Sequence, residues 1–192
     1  MKQKPVLPEA TRVRQELQRV ERKSRFRRVM RSTIGVIVVA AALSVLVATL
    51  WMPVLRTYGS SMSPTLEDGQ ILVSVKETEF RQGDIIAFYY NNKILIKRVI
   101  ACPRDWVEMT EDGSVYVNGE LLDEPYVQEK TYGDCDIVFP YQVPDGRYFV
   151  MGDHRSISSD SRSSVVGCVA EEQVVGKLVF RLWPLSDFGK VG

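Results

Sequence analysis

The sequence predicts a mainly β domain that is preceded by one membrane-spanning helix. Three observations point to this fold class: an uncharged apolar run near the N-terminus, several short alternating or β-branched segments after it, and turn signals between those segments. With 192 residues, the chain has room for one compact domain and an anchor. Its apolar and charged fractions are ordinary for a globular protein, which excludes a disordered or fibrous chain.

The apolar run has the length and composition of a membrane anchor. Residues 32–55 carry no charge, and Ile34–Met52 is almost wholly Ile, Val, Ala and Leu. As a helix with about 1.5 Å per residue, that stretch spans roughly 28 Å, close to the hydrocarbon core of a bilayer. A core helix would show a polar stripe, and a cleavable signal peptide has a shorter apolar core. We therefore interpret residues 34–54 as an anchor, with Trp51 at the membrane interface.

The charges around this run predict its orientation. The first 32 residues contain 11 Lys or Arg and three Glu, whereas the rest of the chain has an excess of acidic residues. Basic flanks of membrane segments stay in the cytoplasm. We expect residues 1–33 to be a basic cytoplasmic tail and residues 55–192 to lie outside the cytoplasm. Contact with anionic lipid accounts for the tail, so no nucleic-acid partner is expected.

The outer part reads as a series of strands and tight turns. Asn118-Gly119 predicts a type I′ hairpin because both turn positions need a positive φ, and Asn91-Asn92 indicates another. Residues 105–144 are richer in acidic and turn residues, which predicts a small accessory β lobe inserted in the main sheet. The predicted strands are Ile71–Val75, Asp84–Tyr89, Ile94–Ile100, Ser114–Val117, Tyr148–Met151 and Gly176–Leu182.

The three cysteines would lie outside the cytoplasm, where disulfides persist. They are Cys102, Cys135 and Cys168, and an odd number leaves at least one unpaired. Buried thiols and a single disulfide both fit the sequence. No spacing among them resembles a metal site, and we expect neither a metal nor a cofactor.

Few residues can serve acid–base chemistry. His154 is the single histidine, so a histidine triad or a multi-histidine metal site would have one possible member. Asp153 and Asp160 stand close in sequence to Arg155 and Arg162, a pattern more typical of structural ion pairs than of paired catalytic carboxylates.

A Ser-rich turn and a strand lysine are more informative. Residues 59–66 form a Gly- and Ser-rich turn just after the anchor, but a serine is a weak nucleophile until a base removes its proton. Lys97 lies in the apolar segment Ile94–Ile100. Burial lowers a lysine pKa from about 10.4, and a fall of two or three units would provide a competent base. A plain turn and a solvated edge lysine are the alternatives.

The residues around this turn and lysine resemble the sequence boxes of type I signal peptidases. Ser61–Leu66 is similar to the nucleophile box Ser-Met-x-Pro-Thr-Leu. Lys97–Asp105 resembles the lysine box Lys-Arg-Val-Ile-Gly-Leu-Pro-Gly-Asp, and Gly83–Phe88 resembles the strand before it. Gly152–Arg162 resembles the third box, Gly-Asp-Asn-Arg-x-x-Ser-x-Asp-Ser-Arg.

The resemblance runs from about residue 34 to the end, where Gly176-Lys177 and Trp183-Pro184 match the closing segment of the family. It is specific because several boxes occur in order, and it points to the short, Gram-positive-like form of the bacterial enzymes. The departures from the boxes bear on local loop shape: they are Ala101, Cys102, Arg104, His154, Ser156 and Ile157.

The resemblance implies a LexA-like β catalytic domain and a mechanism. In it, Ser61 is the nucleophile, Lys97 is the general base and Ser158 orients the lysine, with an acyl-enzyme as intermediate. The family uses the backbone N–H of the nucleophilic serine, sometimes helped by a hydroxyl two residues earlier, to stabilise the oxyanion. Gly59 occupies that earlier position here, so the side-chain donor is absent.

The resemblance also implies substrates, partners and location. Substrates would be signal peptides of exported preproteins at the secretion machinery, with small residues before the cut, and Met62, Leu95 and Ile96 would line the pockets. The protein would be a single-pass protein of the bacterial cell membrane. The remaining box residues would form a structural network: Asp153, Arg155, Asp160 and Arg162.

Two rival functions fit parts of the pattern. A LexA-like self-cleaving protease shares the scaffold and the Ser/Lys pair, although the anchor and Trp183-Pro184 argue against it. A membrane-tethered binding protein without activity would retain the fold, but it would not need Ser61, Lys97 and Ser158 together.

Overall fold

The structure is a computed structural model that describes residues 10–191. Residues 1–9 of the predicted cytoplasmic tail lie outside the described residues. The chain divides into two compact units between Ala48 and Thr49. The first consists of most of a long helix, and the second holds the strands.

Helix α1 (Ala10–Trp51) begins well before the predicted anchor. Helix-favouring Arg, Gln, Glu and Leu residues in the basic segment allow the helix to continue through it. Within the described residues, Arg25–Trp51 is the one stretch long and apolar enough to cross a membrane, and its apolar side chains are exposed, unlike those of a core helix. The helix ends just before Pro53, which restricts the backbone of the preceding residue.

Antiparallel strands dominate the second unit. The described residues after the helix form twelve strands: β1 (Val54–Arg56), β2 (Ile71–Val75), β3 (Ile85–Tyr90), β4 (Lys93–Ala101), β5 (Trp106–Met109), β6 (Val115–Val117), β7 (Glu120–Leu121), β8 (Tyr141–Gln142), β9 (Arg147–Met151), β10 (Val169–Ala170), β11 (Val174–Trp183) and β12 (Gly189–Lys190). Short 3-10 helices lie at Glu171–Gln173 and Leu185–Asp187.

These strands form two sheets in the described part of the chain. The larger has eight strands in the order β1-β2-β11-β3-β4-β9-β10, with β12 on β11, and the smaller has the order β7-β6-β5-β8. One apolar cluster joins them, because Val107 and Val115 of the smaller sheet pack with Ile100, Phe149 and Met151 of the larger. The smaller sheet falls within residues 105–144, and its interpretation as an accessory lobe stays a prediction.

The mainly β fold class is confirmed, and so are the six predicted strands. β2 has the predicted bounds, and β3, β4, β6, β9 and β11 differ from prediction by one or two residues at an end. The two predicted hairpins are also present. Asn118 and Gly119 have φ of 54° and 82°, and Asn91 and Asn92 have φ of 45° and 61°. Asn and Gly tolerate this left-handed region, which type I′ turns require.

Strand β4 is the element that positions the site, because its two halves have different neighbours. Strand β3 pairs with it from Lys93 to Arg98, whereas β9 pairs on the other side only from Arg98 to Ala101. In the described residues no strand covers the second edge of Lys93–Lys97. Backbone groups there are available to an added strand.

All three cysteines lie within the described residues and are free thiols. Of the two alternatives that fitted the sequence, buried thiols and a single disulfide, the disulfide is therefore excluded in this structure. Cys168 is buried, while Cys102 and Cys135 are half-buried. Burial raises the pKa of the Cys102 and Cys168 thiols, so both favour the protonated form.

Candidate active site

Ser61 and Lys97 meet at the end of the open part of β4. The lysine amine donates a hydrogen bond to the Ser61 hydroxyl, with 2.6 Å between Nζ and Oγ. Lys97 is only 3% exposed, whereas Ser61 is half-buried. A hydroxyl that is partly accessible and a buried amine within hydrogen-bond distance are the two components that an activated serine needs.

Apolar contacts hold the turn that carries Ser61. The buried side chains of Met62 and Leu66 pack with Leu72, Ile85 and Leu178 of the larger sheet. Within the turn, the Leu66 N–H donates to the Met62 carbonyl at 2.9 Å. These contacts hold the turn against the larger sheet, while Ser61 lines a cavity on its other side.

A cavity of about 730 Å³ lies beside the pair. One wall is formed by residues 54–59 and the other by residues 92–97, and Ser61 and Met62 also line it. The three residues that the resemblance assigned to substrate pockets, Met62, Leu95 and Ile96, all lie on this cavity together with Ser61 and Lys97.

The surroundings of Lys97 favour the neutral amine. Burial lowers the pKa of Lys97 from 10.5 to about 8, which outweighs the opposing effect of the Asp160 carboxylate. Arg162 lowers the pKa further, and Asp153 raises it. At pH 8 about half of the amine is therefore unprotonated, compared with under about 1% for an exposed lysine.

Ser158 lies next to the backbone of Ser61 but makes no hydrogen bond to the lysine amine. Its hydroxyl is buried and has no hydrogen-bond partner within the part of the chain that the structure describes. Gly152 separates it from Ser61: a Cβ at Gly152 would stand 2.2 Å from Ser158 Oγ and 2.5 Å from the Ser61 carbonyl oxygen. Only glycine permits so close an approach. The orienting role of Ser158 stays a prediction.

Buried ion pairs surround the loop that contains Ser158. Arg98 binds Asp153 through two hydrogen bonds, at 2.9 and 2.7 Å. Arg162 binds Asp160 through two more, at 2.8 and 2.9 Å. The Thr65 hydroxyl donates to Asp153 at 2.5 Å, which ties the nucleophile turn to the same network.

The fourth residue of the predicted network has a partner that sequence reasoning missed. Arg155 is fully buried and pairs with Glu124, 31 residues away in the chain. Arg98 was missed as the partner of Asp153, although it directly follows Lys97. No sequence signal distinguishes Glu124 from a surface acid, because its burial depends on the path of the chain between β7 and β8.

The departures from the family boxes are accommodated locally. The His154 N–H donates to the Ser61 carbonyl at 3.1 Å, a backbone contact that any residue could make. Arg104 has a φ of 74°, where the resembled box has glycine, and its side chain pairs with Asp145 at 2.7 Å. Ala101 is buried in β4, and Ile157 is exposed.

Comparison with known proteins gives a consistent picture. A family model described as "Signal peptidase, peptidase S26" matches residues 30–183. Signal peptidase IB of Staphylococcus aureus strain COL is 39% identical over 151 residues, which is 68% of this chain and 77% of the relative. Signal peptidase I of Bacillus licheniformis is 35% identical over 170 residues, 80% and 89% of the two chains.

A solved signal peptidase I from Enterococcus faecalis V583 is 33% identical, with a TM-score of 0.45. The match covers 52% of this chain and 97% of the solved chain. The class that follows from the sequence relatives is a serine peptidase, a hydrolase. The chain belongs to the signal peptidase family, peptidase S26, as the sequence boxes predicted.

Proposed function

We propose that this protein is a membrane-bound endopeptidase that removes signal peptides from exported preproteins, with Ser61 as nucleophile and Lys97 as general base. One observation carries the proposal: a buried lysine amine lies 2.6 Å from a serine hydroxyl, on a cavity with an open strand edge. Membership of the signal peptidase family supports the same activity.

The reaction begins when neutral Lys97 takes the proton of Ser61. The Oγ atom attacks the scissile carbonyl, and the tetrahedral intermediate collapses as the lysine ammonium protonates the leaving amine. The products of this half are an acyl ester on Ser61 and the mature N-terminus. Lys97 then removes a proton from water, which attacks the ester and releases the signal peptide as a carboxylate.

The oxyanion would be stabilised by the backbone N–H of Ser61. Gly59 has no side-chain donor, and its own N–H already donates to Asp68 Oδ1 at 2.8 Å. This arrangement supports an oxyanion site built from backbone at Ser61, without help from the position two residues earlier.

Ser158 would orient the base. Its support is the buried hydroxyl without a partner in the described residues, close to the Ser61 carbonyl across Gly152. Because an unpaired buried hydroxyl is unfavourable by about 1–3 kcal/mol, the Lys97 amine is a natural partner once the proton has moved. The orienting group plays the part of a carboxylate in a histidine triad.

The substrate would bind as an extended strand. The uncovered edge of Lys93–Lys97 can hydrogen-bond a peptide backbone, while Met62, Leu95 and Ile96 contact alternate side chains and limit their size. We place helix α1 in the bacterial membrane, with the basic end cytoplasmic and the catalytic unit outside. That location gives access to preproteins at the secretion machinery.

The test is cleavage of a purified preprotein by the full chain in lipid nanodiscs. We expect Ser61→Ala and Lys97→Ala to lower kcat by at least about a thousandfold. Ser60→Ala and Lys190→Ala are the controls, because Ser60 is an exposed neighbour on the same turn and Lys190 is an exposed strand lysine outside the cavity lining, and both should cleave like wild type. An inert wild type would favour the tethered binding protein, and cleavage only within its own chain would favour the self-cleaving protease.

A further inference from the structure

The segment Asp123–Val127, which lies in the connection between β7 and β8 of the smaller sheet, reaches the buried charges of the active site. Asp123 and Pro125 are exposed, but the side chain of Glu124 between them is fully buried. It binds the Arg155 guanidinium through both carboxylate oxygens, with Oε2 at 3.3 Å from Nη1 and Oε1 closer to Nη2. A carboxylate is buried in this way only when it is paired.

Arg155 connects Glu124 to the backbone next to the nucleophile. Its Nε donates to the Gly152 carbonyl at 3.1 Å, and its own carbonyl accepts a hydrogen bond from Arg162 at 2.8 Å. Gly152 in turn lies against the Ser61 carbonyl, which also accepts the His154 N–H. Glu124 is thus connected to the backbone of Ser61 through two intervening residues.

Tyr126 makes a second contact from the same segment. Its ring covers Arg98, with the guanidinium carbon 3.8 Å from the ring centre. Arg98 directly follows Lys97 and holds Asp153, so the ring closes the ion pair beside the base. Burial, reinforced by the nearby Glu124 carboxylate, raises the pKa of the Tyr126 phenol, which therefore stays neutral.

Charge counting shows why this segment matters. Apart from Lys97, the buried cluster has three guanidiniums and three carboxylates: Arg98, Arg155, Arg162, Asp153, Asp160 and Glu124. Five of the six belong to β4 or to the loop after β9, and Glu124 is the one contributed from the β7–β8 connection. Without it the cluster would have one unopposed positive charge in a water-poor environment.

We propose that Glu124 and Tyr126 are positioning residues, which hold the Gly152–Arg162 loop and strand β4 so that Ser61 and Lys97 meet. This inference rests on the proposed function and assigns a task to the β7–β8 connection of the smaller sheet: to hold the Gly152–Arg162 loop from outside the larger sheet. Neither residue is among those that line the cavity beside Ser61 and Lys97.

The first test compares two identical substitutions in the full chain, again with a preprotein in lipid nanodiscs. Glu124→Gln keeps the shape and removes the charge, and Glu120→Gln does the same at an exposed position four residues earlier. We expect Glu124→Gln to lower kcat by about 10- to 100-fold, with KM changed by less than about twofold, because misplacement affects the reacting groups and not the cavity. Glu120→Gln should match wild type, and Glu124→Asp should recover part of kcat.

A second variant separates positioning from stability. In Glu124→Met/Arg155→Met both charges are removed, so the folded state is no longer penalised by an unpaired buried ion. We expect its midpoint of thermal unfolding to return close to that of wild type, while kcat stays low because the Gly152 carbonyl has lost its donor. Tyr126→Leu should lower kcat severalfold, whereas Tyr126→Phe, which keeps the ring, should not.

The outcomes are distinct for the two proposals. If wild type does not cleave, the proposed function fails. If wild type cleaves and Glu124→Gln has an unchanged kcat, the positioning role is wrong. Recovery of kcat in the folded double methionine variant would also overturn it, since neutralisation of Arg155 would then be the whole task of Glu124.

Discussion

The two halves of strand β4 differ in neighbours, burial and task. The open half, Lys93–Lys97, pairs with β3 alone, and its first residues are exposed along the cavity. The paired half, Arg98–Ala101, pairs with β9 and is buried throughout. One nine-residue strand thus has both an uncovered edge and a rigid attachment to the core.

Lys97 stands where these halves meet, and this position explains its chemistry. As the last residue of the open half it reaches the cavity and Ser61, yet it is as buried as the paired half that follows. Lys93, four residues earlier on the same strand, is exposed. Proximity to the core, and not the residue type alone, lowers the pKa of the Lys97 amine.

The largest expected effect comes from breaking the paired half. Arg98→Met would leave Asp153 buried without its partner, so we expect the free energy of unfolding to fall by about 3–5 kcal/mol. Lys93→Met, in the open half, is the control and should change it by less than about 0.5 kcal/mol. Denaturant unfolding of the full chain in detergent measures both. If both substitutions lowered the free energy of unfolding equally, the two halves of β4 would not differ in their contribution to stability.

Lys97→Met removes the charge where the two halves of β4 meet. It should change the free energy of unfolding by a smaller amount, which depends on pH. The pKa of Lys97 is about 8 in the folded chain and 10.5 for an exposed lysine, so the folded state binds fewer protons between these pH values. Burial of the ammonium therefore penalises the folded wild type fully below pH 8, and the penalty disappears as pH rises to 10.5.

Lys97→Met lacks this penalty. We subtract the unfolding free energy of wild type from that of Lys97→Met at each pH. This difference should be more positive at about pH 6 than at about pH 11 by roughly 3 kcal/mol, from about 1.4 kcal/mol per pKa unit. Unfolding free energies of both proteins across this range provide the measurement. A stability difference that does not vary with pH would show that the folded state does not disfavour the ammonium.

The smallest effect is expected from filling the open half. Ile96→Phe narrows the cavity beside Ser61, so kcat/KM for a preprotein with small residues before the cut should fall about 10-fold. Leu121→Phe is the control: it also enlarges an apolar side chain, but on exposed β7 and outside the cavity lining. It should leave kcat/KM unaltered. If Ile96→Phe also has no effect, the substrate does not pass this wall.

Local sequence patterns predicted the long elements of this fold. Alternation and β-branching identified strands such as β2 and β4, and Asn-Gly identified a hairpin, because these signals are contained within a few neighbouring residues. Apart from β7, which the Asn118-Gly119 hairpin implied, five strands of four residues or fewer were missed, among them β1 and β8. Their patterns are too short to distinguish from loops, and long-range pairing defines them.

The site divides in the same way. Ser61 and Lys97 could be assigned from the resemblance to sequence boxes, and chemistry alone left Ser60 and Ser63 open. Glu124 and Tyr126 could not be found, since their significance comes from partners 31 and 28 residues away, Arg155 and Arg98. Such contacts depend on how the connection between β7 and β8 folds against the larger sheet, which no local pattern encodes.

The pH dependence of preprotein cleavage tests the central claim most directly. If neutral Lys97 is the base, kcat/KM of the full chain in nanodiscs should rise tenfold per pH unit below its pKa of about 8 and reach a plateau above it. A profile that is flat between about pH 6 and about pH 10, or whose midpoint lies in the carboxylate range near pH 4, would contradict a lysine base.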